Sequence, residues 1–276
     1  MIPDPCCPLT PSVVIRLLSA VVLLPLVIVT IWISSAATFV LALVVVALAF
    51  IEYAGLVEAL GADIPRLLSA VAALTACAAV AWQGVGVEVS LLAAVVAAAS
   101  VPVAQGRVDG GVLRDVAATL FPALYLGLPI GALASVRSVA GAGALLLVVL
   151  ALVASDSMQY YAGRLFGRRA LSPAISPKKT QEGAIAGCIA AAVVMPLLGH
   201  LWLPQAAPWL LVLVGLLVAG MGIVGDLFES ALKRGAGVKD SSSLIPGHGG
   251  MLDRIDGLLF AGPVYYLALR LVPGIV

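Results

Sequence analysis

The chain alternates long apolar runs with short polar ones. The apolar runs fall at roughly 13–34, 36–58, 66–83, 87–105, 113–135, 139–163, 183–201, 208–232 and 251–272, about nine in all. A helix of about 20 apolar residues is what crosses the ~30 Å hydrocarbon layer of a bilayer. Backbone groups in lipid must be bonded within their own segment, so each run is expected to be a helix. The period-two alternation of a β-barrel is absent. The pattern predicts an all-α, polytopic integral membrane protein. Stretches such as AAVVAAAS and GAIAGCIAAA supply the small residues that let membrane helices approach closely. The first run follows no basic n-region and shows no clear cleavage site, so it is expected to be a retained helix rather than a signal peptide.

Charge orients the array. With nine spans, Arg16, Arg66, Arg107, Arg114, Arg164, Arg168, Arg169, Lys178, Lys179, Lys233, Arg234, Lys239 and Arg254 share one side. Of the 15 basic residues, that leaves only Arg137 and Arg270 for the other. The positive-inside rule then puts the N-terminus in the cytoplasm. Composition agrees: 62% hydrophobic and 11% charged residues leave no room for a large soluble domain, which carries about 25% charged. A net charge of +1 gives no ground for a nucleic-acid partner. Cys6, Cys7, Cys77 and Cys188 have neither zinc-site spacing nor a disulfide framework.

Two connections stand out, 164–182 (RLFGRRALSPAISPKKTQE) and 233–250 (KRGAGVKDSSSLIPGHGG), both cytoplasmic on this topology. Residues 1–140 are therefore expected to be a scaffold of transmembrane helices, and 141–276 a functional region carrying both loops. Orientation signals explain basic residues but not the carboxylates beside them. Asp156 lies near the end of the sixth run, Asp226 and Glu229 near the end of the eighth, and Asp253 and Asp256 open the ninth. A charge inside a membrane helix is costly and marks function by default. Asp253 and Asp256, three apart, share a helix face in the first turn, where the helix dipole favours anions. Asp226, Glu229, Ser230 and Lys233 form one polar stripe, and Asp156, Tyr160, Gly163 and Arg164 another. Clustered carboxylates suit a hard cation such as Mg²⁺. Lysines, arginines and glycine-rich backbone suit phosphates. Together they point to a phosphate-rich, metal-bound substrate at the lipid surface.

These residues carry a family resemblance. SALKRGAGVKDSSSLIPGHGGMLDRID, residues 230–256, resembles the signature of the phosphatidate cytidylyltransferases, or CDP-diacylglycerol synthases. SPKKTQEG (176–183), GDLFESALKR (225–234) and DSMQYYAGRLFG (156–167) are similar to further segments of that family, with Gln159 standing where Ala is usual. Residues of about 150–260 carry the specific motifs; Glu52-Tyr53 is a weak echo in the first half. The resemblance implies synthesis of CDP-diacylglycerol and pyrophosphate from CTP and phosphatidate. It also implies an inner-membrane, Mg²⁺-dependent site facing the cytoplasm, a second monovalent cation such as K⁺, catalysis within 141–276, and a homodimer with contacts in 1–140.

On that footing Asp226, Asp253 and Asp256 are the expected metal ligands, directly or through water. Lys233, Lys239, Arg234 and Arg254 are expected phosphate contacts, Lys233 and Lys239 among the catalytic residues. Ser176, Lys178, Lys179 and Thr180 are expected to bind phosphates of nucleotide or lipid. Gly249 and Gly250 let backbone N–H groups approach a ligand. His248 serves either to order its loop or to contact phosphate. Asp156 serves either to orient a basic residue or to help the metal, and Asp240 either ion-pairs or meets metal. A transporter of a phosphorylated or ionic solute is the alternative, but its charges would be expected at the bilayer midplane. A CDP-alcohol phosphotransferase would share Asp253-x-x-Asp256-Gly257, yet the LLFAGPVYY that follows lacks that family's second Asp pair.

Overall fold

The computed structural model describes residues 21, 24–82, 86–238, 241–242 and 249–275. Expectations for Lys239, Asp240 and His248 lie outside these residues. The described chain is a bundle of helices: α1 (Leu24–Ile33), α2 (Ser35–Ala59), α3 (Arg66–Trp82), α4 (Val87–Ala104), α5 (Val112–Pro122), a π-helical turn (Ala123–Gly127), α6 (Leu128–Phe166), α7 (Gln181–Trp202), α8 (Pro208–Gly235) and α9 (Leu252–Leu271). Starts are locally encoded. Ser34 accepts from the Ala37 amide at 3.0 Å to cap α2, Thr180 accepts from Gly183 at 3.2 Å to cap α7, and Pro208 opens α8.

Five helical stretches are long and apolar enough to cross a membrane: Ser35–Ala59, Val87–Ala104, Val112–Phe166, Gln181–Trp202 and Pro208–Gly235. The protein is a helical membrane protein. α1 and α3 are shorter, and the opening of α9 carries Asp253, Arg254 and Asp256. The 55 residues of Val112–Phe166 would be about 80 Å long if straight, far more than one crossing needs. They are broken at Gly141, whose φ of +88° suits glycine. Both arms meet the same part of α9: Leu133, before the break, lies where a Cβ on Gly262 would fall, and the Ala144 carbonyl, after it, accepts from Tyr265 Oη at 3.0 Å. The chain thus folds back at Gly141.

One element departs from the all-helical expectation. Ala170–Ser172 (β1) and Ser176–Thr180 (β2) form an antiparallel hairpin, with Ala170 opposite Thr180 and Ser172 opposite Ser176. Pro173 and Pro177 disfavour helix for themselves and for the residues before them, which leaves extended chain in this connection.

α6 packs most extensively against α7, and α8 against α9. Small residues set both contacts. Gly183 and Gly187, one turn apart on α7, rest against the Gln159 and Ser155 carbonyls of α6. On α8, a Cβ at Gly225 would press on the Asp256 carbonyl and come within 3.1 Å of Phe260. Gly225→Leu is therefore expected to force α8 and α9 apart. Overpacking of this kind costs about 1–3 kcal/mol, and the unfolding midpoint in detergent should fall accordingly. An unchanged midpoint would show that the two helices separate freely.

Candidate active site

The packing of α8 on α9 brings their polar ends together. Lys233, on α8, places Nζ 2.5 Å from Glu229 Oε2, one turn back, and 2.5 Å from Asp253 Oδ1 on α9. The three side chains are largely enclosed: 13% exposed for Lys233, 1% for Glu229 and 14% for Asp253. Glu229 Oε1 has no hydrogen-bond partner among the described residues. Asp253 Oδ2 accepts from the Gly250 amide at 2.9 Å, Ser241 Oγ at 2.9 Å and the Ser241 amide at 3.3 Å.

A second pair lies alongside. Lys179, on β2, donates to Asp226 Oδ2, while Ser230 Oγ lies 3.5 Å from Asp226 Oδ1. Burial pushes the Lys179 ammonium below the usual lysine range, against the upward pull of Asp256, Asp156 and Glu229. The α8 stripe read from the sequence is thus realised as two i,i+4 contacts, each extended by a residue from another element. Aromatic rings wall the site: Phe228 meets Tyr125 edge-on with centroids 5.3 Å apart and Phe260 at 5.6 Å. Such walls exclude water and strengthen the ion pairs they border.

Other expected residues are placed variously. Asp256 accepts from its neighbour Gly257 at 2.7 Å. Asp156 accepts from Gln159 Nε2 at 3.1 Å, so the residue that departs from the family pattern holds this carboxylate. Thr180 caps α7 and fits against Gly163 and Gly167. Ser176 is half-buried at the start of β2, and Lys178 and Arg234 are exposed, with Arg234 Nη1 3.4 Å from the Val238 carbonyl. Gly249 has φ +81°, and Gly250 has no room for a side chain, because a Cβ would overlap Ser241 Oγ and Glu52 Oε2. Arg254 is exposed and lies at the border of an apolar groove of about 530 Å³ between α1, α2, α6 and α9, lined also by Val27, Leu41, Leu145 and Ile255. Another apolar cavity, about 560 Å³ between α2, α3 and α4, is lined by no charged residue.

Sequence reasoning gave no role to two residues. Glu229 was placed on the stripe, yet it is fully buried and shares Lys233 with Asp253. Glu52, on α2, is 4% exposed and accepts from Ser242 Oγ at 2.6 Å, the Met251 amide at 2.7 Å and the Leu252 amide at 2.8 Å, and lies 2.9 Å from Ser241 Oγ, whose one proton it shares with Asp253. Besides the weak Glu52-Tyr53 echo, the available signal was a carboxylate two turns inside the end of a largely apolar helix.

Asp226, Asp253 and Asp256 are the right donor type for Mg²⁺. Among the described residues, however, no three acidic, His or Cys side chains are grouped so that they could hold a metal ion. Asp226 is engaged by Lys179 and Asp253 by Lys233. As arranged, Asp226 and Asp253 form lysine pairs and Asp256 accepts from the Gly257 amide.

Comparison with known proteins adds independent information. Residues 14–272 match the cytidylyltransferase family. The chain is 44% identical over 150 residues to a phosphatidate cytidylyltransferase of Thermotoga maritima, covering 49% of this chain and 52% of that protein. It is 38% identical over 166 residues to the enzyme of that name from Mycobacterium bovis, covering 59% and 54%. For the Helicobacter pylori protein of that name the figures are 37% over 179 residues, 65% and 64%. The chain spans about half the length of the first two relatives.

Proposed function

The chain belongs to the cytidylyltransferase family, and on that premise we propose that it transfers the cytidylyl group of CTP to phosphatidate, forming CDP-diacylglycerol and pyrophosphate. The observation that carries this reading is the buried Glu229–Lys233–Asp253 triplet beside the Lys179–Asp226 pair. It gathers fixed charge at one end of apolar helices. The groove bordered by Arg254 supports it further, because an amphiphile needs an apolar channel with a cation at its polar end.

A phosphate oxygen of phosphatidate attacks the α-phosphorus of CTP. The bond to the β-phosphate oxygen breaks, and pyrophosphate departs. The nucleophile is already anionic at neutral pH, so no general base is needed. The protein's task is to bring two anions together and neutralise the charge that spreads over the transferring phosphorus. In this reading Lys179 and Lys233 face that charge, their carboxylate partners fixing where each ammonium sits. Lys178 and Arg234, exposed at the rim, meet the triphosphate, and Arg254 meets the lipid phosphate.

The proposal includes nine spans, a cytoplasmic N-terminus, a site facing the cytoplasm from the inner membrane, and a homodimer. Two-ended packing supports the topology. Arg137 Nε donates to the Ile31 carbonyl at 2.8 Å, which joins the end of α1 to the neighbourhood of the Gly141 reversal, and Trp202 at the end of α7 abuts Gly143. Leu60 beside Gly235 and Thr180 beside Gly163 and Gly167 join the other ends of α2, α8, α6 and α7. A requirement for Mg²⁺, with K⁺ as a second ion, is proposed from the donor types of Asp226, Asp253 and Asp256 and not from their arrangement.

The test is direct. Purified protein in detergent, given CTP, phosphatidate and Mg²⁺, should release pyrophosphate and form CDP-diacylglycerol; absence of both products would refute the reading. Within the same assay Lys179→Ala should lower kcat at least about tenfold, the effect of losing roughly 1.4 kcal/mol of transition-state stabilisation. Lys178→Ala should instead raise the KM for CTP. If neither variant changes kcat or either KM, the SPKKT hairpin is structural only.

A further inference from the structure

Glu52 stands far from the family motifs in sequence, 189 residues before Ser241 and 200 before Leu252. The first N–H groups of a helix have no partner within the helix, and Met251 offers α9 no side-chain cap. Glu52 supplies that cap from another helix: Oε1 accepts from the Met251 amide and Oε2 from the Leu252 amide. Its charge also lies where the α9 dipole favours an anion.

The same carboxylate reaches the loop. Ser242 Oγ donates to Oε1, and Ser241 Oγ lies 2.9 Å from both Glu52 Oε2 and Asp253 Oδ2. A hydroxyl has one proton to donate, so Ser241 sits between two carboxylates that share it. Asp253 in turn meets Lys233 through its other oxygen. A continuous set of contacts thus runs from Glu52 through Ser241 and Asp253 to Lys233. Gly250 permits it, since any side chain there would occupy the space of Ser241 Oγ and Glu52 Oε2.

We propose that Glu52 is a positioning residue for the cytidylyl transfer: it fixes Ser241 and the first turn of α9 so that Asp253 presents its carboxylate to Lys233. This rests on the functional reading above. Glu52 touches no reacting atom in this scheme. It acts on the alignment of Asp253 and Lys233, so its loss should appear in kcat rather than in the affinity for CTP.

The experiment compares wild type with Glu52→Gln, Ser241→Ala and the double variant. Glu58→Gln serves as the control, because Glu58, on the same helix as Glu52, pairs instead with the exposed Arg66 at the start of α3. In Glu52→Gln an amide –NH₂ must face at least one of the donors that the carboxylate accepted. Each single variant should lower kcat about tenfold or more with the KM for CTP within twofold, and the double variant should be no worse than the poorer single one, as for residues acting as one unit. Glu58→Gln should match wild type. A kcat for Ser241→Ala within twofold of wild type would overturn the proposal even if Glu52→Gln failed to fold, and so would kcat losses that multiply in the double variant. Hydrogen exchange gives a readout without turnover: the Met251 and Leu252 amides should exchange at least tenfold faster in Glu52→Gln while those in the middle of α8 keep their protection. Equal protection of Met251 and Leu252 in variant and wild type would also overturn it. If wild type forms no CDP-diacylglycerol, the functional reading fails, and the exchange result still decides whether Glu52 holds this turn.

Discussion

Lys233→Met should abolish turnover and unfold the protein at a markedly lower temperature. Among the described residues Lys233 is the single cation 2.5 Å from both Glu229 and Asp253, and all three side chains are largely enclosed. Its removal leaves two neighbouring carboxylates facing each other with little water to screen them. Breaking a buried ion pair from one side costs about 3–5 kcal/mol, because the remaining charge is stranded. On the reaction side, loss of a fixed group that stabilises transition-state charge costs on the order of 10²–10³ in kcat. The two effects separate in the double variant Lys233→Met, Glu229→Gln. Neutralising Glu229 should recover much of the unfolding midpoint but none of the turnover. Recovery of turnover in the double variant would show that Lys233 is only a counter-ion.

Asp253→Asn is the second large effect. Asp253 Oδ2 receives three donor contacts, from the Gly250 amide, the Ser241 amide and Ser241 Oγ, while Oδ1 meets Lys233. Asparagine has one oxygen and one –NH₂ to distribute over these partners. If the oxygen keeps the loop contacts, the –NH₂ faces the Lys233 ammonium; if it turns to Lys233, the –NH₂ faces the amides. Either orientation opposes donor to donor. The expected outcome is a fall in kcat of about a hundredfold or more with a smaller loss of stability than for Lys233→Met, since Glu229 still neutralises Lys233. Near wild-type turnover would remove Asp253 from the chemistry, whether as lysine partner or as metal ligand.

Much of the scaffold was legible because apolar run length carries it directly. The runs read at 36–58, 66–83 and 208–232 are the helices Ser35–Ala59, Arg66–Trp82 and Pro208–Gly235. The reversal was legible to within a few residues: the runs read at 113–135 and 139–163 leave a gap at 136–138, whereas the break lies at Gly141, inside the second run. The hairpin at Ala170–Thr180 was not, because its strands are too short for periodicity to register. In the site, i,i+4 geometry foretold the α8 stripe but not its completion. Lys179 is 47 residues from Asp226 and sits on a strand. Nothing local to either residue announces the pair. Thr180 reads only as a phosphate contact, from its place in the SPKKT segment; in the structure its hydroxyl accepts from the Gly183 amide and caps α7. Glu52 was visible only in the weak Glu52-Tyr53 echo of the family, with no role attached, because its partners lie 189–200 residues further along the chain.

That separation bears on how the protein is made. Glu52 enters the membrane with α2 when the ribosome has yet to reach Ser241, Met251 and Leu252, the donors that will satisfy it. A charged side chain at the centre of an inserting helix costs roughly 2.5–3.5 kcal/mol on translocon scales, an upper bound for Glu52, which lies two turns from the end of α2, and the apolar residues of α2 must carry the cost alone through most of synthesis. Only the arrival of the last helix ends it. A fragment of the second half would contain the specific motifs of about 150–260 and still lack the anion that seats α9, so supplying residues 1–140 as a separate chain should restore what the fragment cannot do by itself.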